Sequence, residues 1–154
     1  MEAVILIGAQ GSGKSTFAKE RFFDTHVRIN LDMLRTRRRE SLLLEACLAA
    51  GQSFVIDKTN ATAQVRGRYV EAARARGFRV VGYYFVATLQ ECLQRNTQRP
   101  GKGSIPPVAV RATFDRLERP QLDEGFDELY EVGIAPDGRF VVQTMNNQEL
   151  PPGP

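Results

Sequence analysis

The residues with the clearest chemical meaning are 8 to 15, which read Gly-Ala-Gln-Gly-Ser-Gly-Lys-Ser and form a complete GxxxxGK(S/T) phosphate loop. The glycines allow the backbone to curl so that successive N–H groups point at phosphate oxygens. Lys14 is expected to reach the β- and γ-phosphates, and the Ser15 hydroxyl is expected to bind Mg²⁺. The sequence therefore predicts a nucleoside triphosphate site, with these residues in contact: Gly8, Gly11, Ser12, Gly13, Lys14, Ser15 and Thr16.

The segments on either side of the loop have the character that the motif requires. An apolar run, residues 3–7, precedes the loop and predicts a strand. Residues 16–23 follow without glycine or proline and predict a helix, whose N-terminus would also favour anions. The alternative is a chance match in a glycine-rich turn, which the flanking strand and helix disfavour.

A second candidate pair, Asp32 and Arg35, follows the short predicted strand 27–30. Their spacing of three residues places both side chains on one face if a helix begins there. A carboxylate in this place could accept the proton of an attacking hydroxyl, and an arginine one turn later could bind a phosphate in bidentate fashion. The same residues would also fit a helix cap and a surface arginine, and both interpretations stay open at this point.

Asp57 directly follows the third predicted strand, residues 53–56. P-loop proteins carry at this position the carboxylate that supports Mg²⁺, usually through water. An Asx turn between the strand and the next helix would also explain an aspartate here.

Arg95 and Arg99 lie where a predicted helix, residues 89–96, runs into a basic segment rich in glycine and proline. Such a segment, taken with its flanks as residues 95–107, is typical of a mobile lid. Arginines there could close over a triphosphate and neutralise charge on the transferring phosphoryl group. A solvated helix end would have the same composition.

Strands and helices alternate along the chain, which predicts an α/β fold with a central parallel β-sheet and helices on both faces. One helix is predicted from Met33 to Ala50, and two weaker strands, 126–132 and 140–143, are separated by a turn at residues 135–138. We expect a single P-loop NTPase domain over residues 1–150, which includes the helical and Gly/Pro-rich lid. The tail, residues 151–154, is expected to be disordered.

Composition limits the classes of protein to which the chain can belong. Hydrophobic residues make up 42% and charged residues 25% of 154 residues, which is ordinary for a globular domain. No apolar run approaches the ~20 residues of a membrane span and no signal peptide is visible, so we expect no membrane partner. Cys47 and Cys92 have no CxxC spacing, which favours free buried thiols and a cytoplasmic location.

The formal charge of +3 is unevenly distributed along the chain. Arginines are clustered at positions 35 and 37–39, and acidic residues gather late in the chain. Such a cluster suits a polyanionic ligand, although a solvated helix face would have the same composition.

Taken together, these segments resemble the 5′-kinase domain of polynucleotide kinases, P-loop phosphotransferases that phosphorylate the 5′-hydroxyl ends of DNA or RNA. The resemblance rests on the order of four motifs: the phosphate loop, Asp-x-x-Arg after strand two, Asp-x-Thr-Asn after strand three and Arg-Asn-x-x-Arg before the lid. It covers roughly residues 1–132, including the predicted helix segment 69–74 and the late stretch 120–126.

The resemblance implies ATP as the phosphoryl donor, Mg²⁺ as the cofactor and a nucleic-acid 5′-OH end as the acceptor substrate. Lys14, Asp32 and Arg99 would be catalytic. Lys14 would hold the phosphates, Asp32 would act as the general base, and Arg99 would stabilise the transition state.

The resemblance also implies the residues that bind the substrates. Ser15 and Asp57 would serve the metal, and Arg95 would lie near the nucleotide. Arg35 would bind the phosphate 3′ to the acceptor nucleoside, and Asp57 would orient Arg35 or the metal-bound water.

The sequence departs from the family in one respect. The chain has no DxDGT motif of the 3′-phosphatase that many relatives carry, so complete end repair would need a separate enzyme as partner.

Two alternative functions remain open. A small-molecule kinase for a sugar, nucleoside or antibiotic alcohol would use the same core, but would need no cluster of arginines. A nucleotide-binding module without transfer is disfavoured by the presence of both Lys14 and Asp32.

Overall fold

The computed structural model, which describes residues 1–98 and 105–145, contains one sheet of six strands in the order β2-β3-β1-β4-β5-β6. The strands are β1 (Glu2–Ile7), β2 (Val27–Ile29), β3 (Phe54–Ile56), β4 (Arg79–Phe85), β5 (Glu128–Ile134) and β6 (Phe140–Thr144). The helices are α1 (Lys14–Phe22), α2 (Leu31–Leu34), α3 (Arg37–Ala50), α4 (Ala63–Ala75), α5 (Leu89–Thr97) and α6 (Pro107–Arg116).

The apolar run of β1 is buried on both faces because helices cover both sides of the sheet. Alternate residues of a strand point to opposite faces. Ala3, Ile5 and Ile7 pack with side chains of α3 and α4, whereas Val4 and Leu6 pack with α1. The prediction of helices on both faces is therefore confirmed.

The last strand departs from the parallel order. Strands β1 to β5 pair in parallel, but β6 pairs antiparallel to β5, so the sheet is mixed. The connection is the predicted turn, in which the Gly138 N–H donates to the Ala135 carbonyl oxygen at 2.9 Å and Gly138 has a φ of +87°. A connection this short can join only antiparallel neighbours.

The helix predicted from Met33 to Ala50 is wrong as a single element. It is divided into α2 and α3 by Arg35, whose φ of +72° is left-handed. The Thr36 hydroxyl oxygen then accepts a hydrogen bond from the Arg39 N–H at 3.2 Å and caps a new helix. Threonine at an N-cap is a recognised helix start, and this signal was available in the sequence.

Two predicted features lie partly or wholly outside the described residues. The centre of the lid, residues 99–104, and the tail, residues 151–154, belong to this part of the chain. Among the residues that are described, none forms a helix with the length and apolar character needed to cross a bilayer.

The carboxyl ends of the parallel strands share one edge of the sheet, which is where doubly wound proteins bind ligands. The phosphate loop follows β1, the Asp32 segment follows β2 and the Asp57 segment follows β3. These three strands are neighbours in the sheet, so their loops are neighbours at this edge.

Candidate active site

The part of the phosphate loop that precedes α1, residues 8–13, has a backbone shape that requires glycine at two positions. Gly11 and Gly13 have φ values of +82° and +101°, in the left-handed region that other residues rarely adopt. A Cβ atom at Gly11 would lie 2.4 Å from the carbonyl oxygen of Cys92 in α5. The loop therefore packs directly against α5, and its curl depends on glycine for space as well as for conformation.

Lys14, the first residue of α1, has its ammonium group inside this curl. Its Nζ atom donates hydrogen bonds to the carbonyl oxygens of Gly8 and Ala9 at 2.7 and 2.8 Å, and the residue is 8% exposed. These oxygens satisfy a buried charge that would otherwise be costly. The ammonium thus lies at the centre of the motif, as a phosphate-binding lysine requires.

Ser15 and Asp57 meet beside the start of α1. The Ser15 hydroxyl donates to Asp57 Oδ2 at 3.0 Å, and Arg28 Nε donates to the same oxygen at 2.8 Å. The Asp57 side chain is 2% exposed, so the cation beside it stabilises a buried carboxylate. The Ser15 hydroxyl oxygen and the Asp57 carboxylate oxygen, both of the kind that Mg²⁺ prefers, therefore lie next to the phosphate loop.

These two oxygens are suited to Mg²⁺ shared with a nucleotide. Across residues 1–98 and 105–145, no group of three or more His, Cys, Asp or Glu side chains could hold a metal ion. Mg²⁺ usually keeps several waters and is bound through one or two protein ligands plus substrate phosphates. Ser15 and Asp57 fit that mode.

Two asparagines tie the loops at this edge to one another. Asn30 is the N-cap of α2, and its amide also donates to the Asp57 carbonyl oxygen at 2.9 Å. The Asn60 amide donates to the Leu6 carbonyl oxygen at 2.7 Å. The segment that carries Asp32 is thereby fixed beside the segment of Asp57, and the latter is fixed beside β1.

Asp32 lies in the first turn of α2 and is exposed at this edge. Its carboxylate makes no hydrogen bond or ion pair within the described residues. Arg35 is also exposed, but it is the C-cap of α2 and its left-handed φ turns the backbone. Arg35 therefore lies just past the helix that contains Asp32, and their shared face stays a prediction. Asp57 contacts Arg28 rather than Arg35, which corrects one of the two partners expected for it.

Arg95 reaches the phosphate loop from α5. Its Nη1 atom donates to the Gly11 carbonyl oxygen at 3.4 Å, and Glu91 lies 3.8 Å from its Nη2 atom. Burial raises the pKa of the Cys92 thiol, and the charges of Lys14 and Arg95 oppose that rise. Two cations therefore act around the loop. The other predicted lid arginine, Arg99, lies outside the described residues.

Sequence reasoning missed Arg28 and gave Asn30 no role. The signal for Arg28 was a charged residue inside the short predicted strand 27–30, which pairs with the strand that precedes Asp57. The signal for Asn30 was an N-cap residue at the end of that strand. Thr16 was predicted to bind nucleotide and lies, exposed, in the first turn of α1.

The model of one protein family, described as AAA domain, matches residues 4–120 of this chain. A bifunctional polynucleotide phosphatase/kinase from Schizosaccharomyces pombe is 27% identical over 135 residues, which cover 85% of this chain and 33% of that protein. A putative bifunctional polynucleotide phosphatase/kinase from Acanthamoeba polyphaga mimivirus is 30% identical, over 83% of this chain and 32% of that protein. The chain spans about a third of the length of these curated relatives. These matches confirm the resemblance to polynucleotide kinases that was inferred from the four motifs.

Solved structures support the fold. The AvrRxo1-ORF1:-ORF2 structure with ATP has a TM-score of 0.68 at 17% identity, covering 97% of this chain and 61% of that chain. A gluconokinase from Sinorhizobium meliloti 1021 has a TM-score of 0.57 at 19% identity, covering 87% of this chain and 83% of that chain. At these identities the similarity shows the fold alone, and it confirms the predicted P-loop α/β architecture.

Proposed function

We propose that this chain, which belongs to the AAA domain family, transfers the γ-phosphate of ATP to the 5′-hydroxyl end of a nucleic acid, DNA or RNA. The observation that carries the proposal is the hydrogen bond from Asn30 to the Asp57 carbonyl oxygen, which joins the Asp32 segment to the Ser15–Asp57 pair. A donor site and an exposed carboxylate then share one edge of the sheet, as phosphoryl transfer to an alcohol requires. The relatives named polynucleotide phosphatase/kinase support a nucleic-acid acceptor.

The donor half of the site would be the phosphate loop with its two cations. The loop amides and Lys14 would bind the β- and γ-phosphates, and Arg95 would add positive charge from α5. The Ser15 hydroxyl would bind Mg²⁺ directly, and Asp57 would bind it through water. When bound, Mg²⁺ would neutralise negative charge on the β- and γ-phosphate oxygens.

The acceptor half would depend on Asp32 and Arg35. The 5′-hydroxyl oxygen forms a bond to the γ-phosphorus while the bond from that phosphorus to the β–γ bridging oxygen breaks. The hydroxyl proton passes to the Asp32 carboxylate, and ADP leaves. Arg35 would bind the phosphate 3′ to the acceptor nucleoside, and its exposure at the same edge supports this role. Arg99 is proposed to stabilise the transition state from the lid.

A cytoplasmic location is proposed from the two cysteines. Cys47 and Cys92 are buried free thiols, which suits a reducing compartment such as the cytoplasm.

The proposal is tested by incubating the protein with Mg²⁺, γ-labelled ATP and a panel of acceptors. We expect label on oligonucleotides and on nucleoside 3′-phosphates that carry a 5′-hydroxyl, and none on the same oligonucleotides with a 5′-phosphate. A Lys14→Met preparation controls for contaminating kinases. Label on simple sugars instead would favour a small-molecule kinase, and ATP binding without transfer to any acceptor would favour a non-catalytic module.

A further inference from the structure

A basic pocket with a volume of about 270 Å³ lies at the carboxyl edge of the sheet, beneath the first turns of α3 and α4. Six polar side chains line it and define it: Arg37, Glu40, Lys58, Gln64, Arg68 and Tyr69. None of these residues takes part in the phosphoryl-transfer chemistry proposed above.

The pocket begins one residue from the proposed metal ligand. Asp57 and Lys58 are consecutive, and their side chains contact helices on opposite faces of the sheet. Asp57 accepts from Ser15 at the start of α1, whereas Lys58 Nζ donates to the Tyr69 hydroxyl in α4 at 2.7 Å. The pocket therefore lies on the α3–α4 side of the sheet, which is also the side of α2 and its neighbour Arg35, since Leu34 packs there.

Glu40 anchors the floor of the pocket. It is 1% exposed, and Oε1 accepts from the Tyr69 hydroxyl at 2.5 Å. Arg68 Nη2 lies 3.5 Å from Oε1, and Lys58 Nζ lies 3.4 Å from Oε2. Burial, followed by the hydrogen bond to Glu40, raises the pKa of Tyr69, so its hydroxyl stays neutral and donates. A buried carboxylate thus holds two cations in place.

The positive charge exceeds what Glu40 balances. Three cations, Arg37, Lys58 and Arg68, line the pocket with one carboxylate, and Glu40 pairs with Lys58 and Arg68. The Arg68 side chain is 47% exposed, and within the described residues its Nε and Nη1 groups make no hydrogen bond. Lys58 pairs with Glu40 Oε2 through charge alone, because that oxygen accepts no hydrogen bond within the described residues. The N-termini of α3 and α4, helices of 14 and 13 residues, add to the attraction for an anion.

We infer that the basic pocket binds an internal phosphodiester of the acceptor strand, beyond the phosphate assigned to Arg35. This inference rests on the proposed function, because it extends the acceptor path from the same edge of the sheet. It assigns to Lys58 and Arg68 the selection of polynucleotides over mononucleotides.

Binding of 5′-hydroxyl pentanucleotides, followed by fluorescence anisotropy, tests the inference without any need for turnover. Three probes are compared: the all-phosphodiester strand, and strands with a neutral methylphosphonate at the second or at the third linkage. We expect the wild type to bind one of the neutral strands about tenfold more weakly, the usual worth of a charge-assisted contact. In Arg68→Gln that difference disappears, and the slope of log Kd against log salt falls by about 0.7, as expected when one contact to a single strand is lost.

The matched control is Arg76→Gln, which removes the same charge from the C-cap of α4. Arg76 pairs with Glu45 and lies eight residues after Arg68, about 12 Å along the helix axis. We expect Arg76→Gln to keep both the preference for the charged linkage and the salt slope. Lys58→Met serves as a second pocket variant, and thermal unfolding of each variant establishes that it is folded.

The inference is overturned if the wild type binds both neutral strands as tightly as the charged strand, or if the Arg68→Gln and Arg76→Gln variants behave alike. Phosphoryl transfer to a nucleoside 3′-phosphate, measured in parallel, separates the two hypotheses. Transfer without linkage dependence retains the proposed function and removes the subsite. Linkage-dependent binding without transfer to any acceptor retains the subsite and removes the kinase.

Discussion

The Ser15 hydroxyl donates a hydrogen bond to Asp57 Oδ2 at 3.0 Å, across 42 positions in the sequence. The contact forms because β3 lies directly beside β1, so the residue after β3 reaches the helix that follows the phosphate loop. Arg28 on β2 contacts the same carboxylate, so three neighbouring strands each bring one element to the proposed metal site.

Replacing Asp57 by asparagine should raise the Mg²⁺ concentration needed for half-maximal activity. A carboxylate that holds metal-bound water is worth about 10–100-fold in metal affinity. The measurement is the initial rate against Mg²⁺ concentration at saturating ATP. Asp24→Asn, an exposed aspartate in the turn after α1, is the control and should match the wild type. If both variants show the same Mg²⁺ dependence, Asp57 has no part in binding the metal.

Gly11→Ala should weaken nucleotide binding by at least about tenfold and lower stability by about 1–3 kcal/mol, because its backbone is left-handed and the new Cβ meets a backbone oxygen. Fluorescent-nucleotide titration and chemical denaturation measure the two effects. Gly67→Ala is the control, since a Cβ there meets nothing within 4 Å in the middle of α4. It should keep nucleotide affinity and raise stability by about 0.5–1 kcal/mol. Equal behaviour of the two variants would be inconsistent with the loop geometry described above.

Arg35→Ala should reduce kcat/KM for nucleoside 3′-phosphates about tenfold or more, while activity on nucleosides without that phosphate should change little. The physical reason is the loss of a charge-assisted contact that bare nucleosides never make. Steady-state kinetics on the two acceptor classes gives the comparison. Arg38→Ala, an exposed arginine of α3, is the control. A uniform loss on both acceptor classes would reject a phosphate-binding role for Arg35.

Both cysteines should resist thiol reagents in the folded protein. Burial raises the pKa of the Cys47 and Cys92 thiols, so the reactive thiolate stays scarce at pH 8 and appears only at higher pH than in a free cysteine. A disulfide reagent that releases a coloured thiolate should react with both residues only after denaturation. Rapid reaction of the native protein would show that at least one thiol is accessible.

The core of the fold could be predicted because local signals agree with one another. The phosphate-loop motif predicted the ends of β1 and α1 to within two residues, and the Pro136-Asp137-Gly138 turn marked the β5–β6 connection. The antiparallel direction of β6 was missed because a parallel sheet was expected throughout. The connection between β5 and β6 is too short for a parallel crossover. The break at Arg35 was missed because the hydrophobic pattern continues across it.

Long-range pairs of charges could not be predicted. Arg66 is fully buried and is held by Glu124, 58 residues away, while Glu40 is buried against Tyr69 and Lys58. Pattern reading assigns such residues to the surface, because unpaired charges are almost never buried. Their partners are set by the packing of α4 against other elements, which no local spacing encodes.

The most direct test of the account is the turnover of Asp32→Asn on a 5′-hydroxyl oligonucleotide, measured with ATP affinity in the same preparation. Loss of a general base should lower turnover by about 10²–10⁴ while ATP affinity stays unchanged. Asp115→Asn, an exposed aspartate on α6, should retain full turnover. Wild-type turnover in Asp32→Asn would contradict the central claim that this carboxylate deprotonates the acceptor hydroxyl.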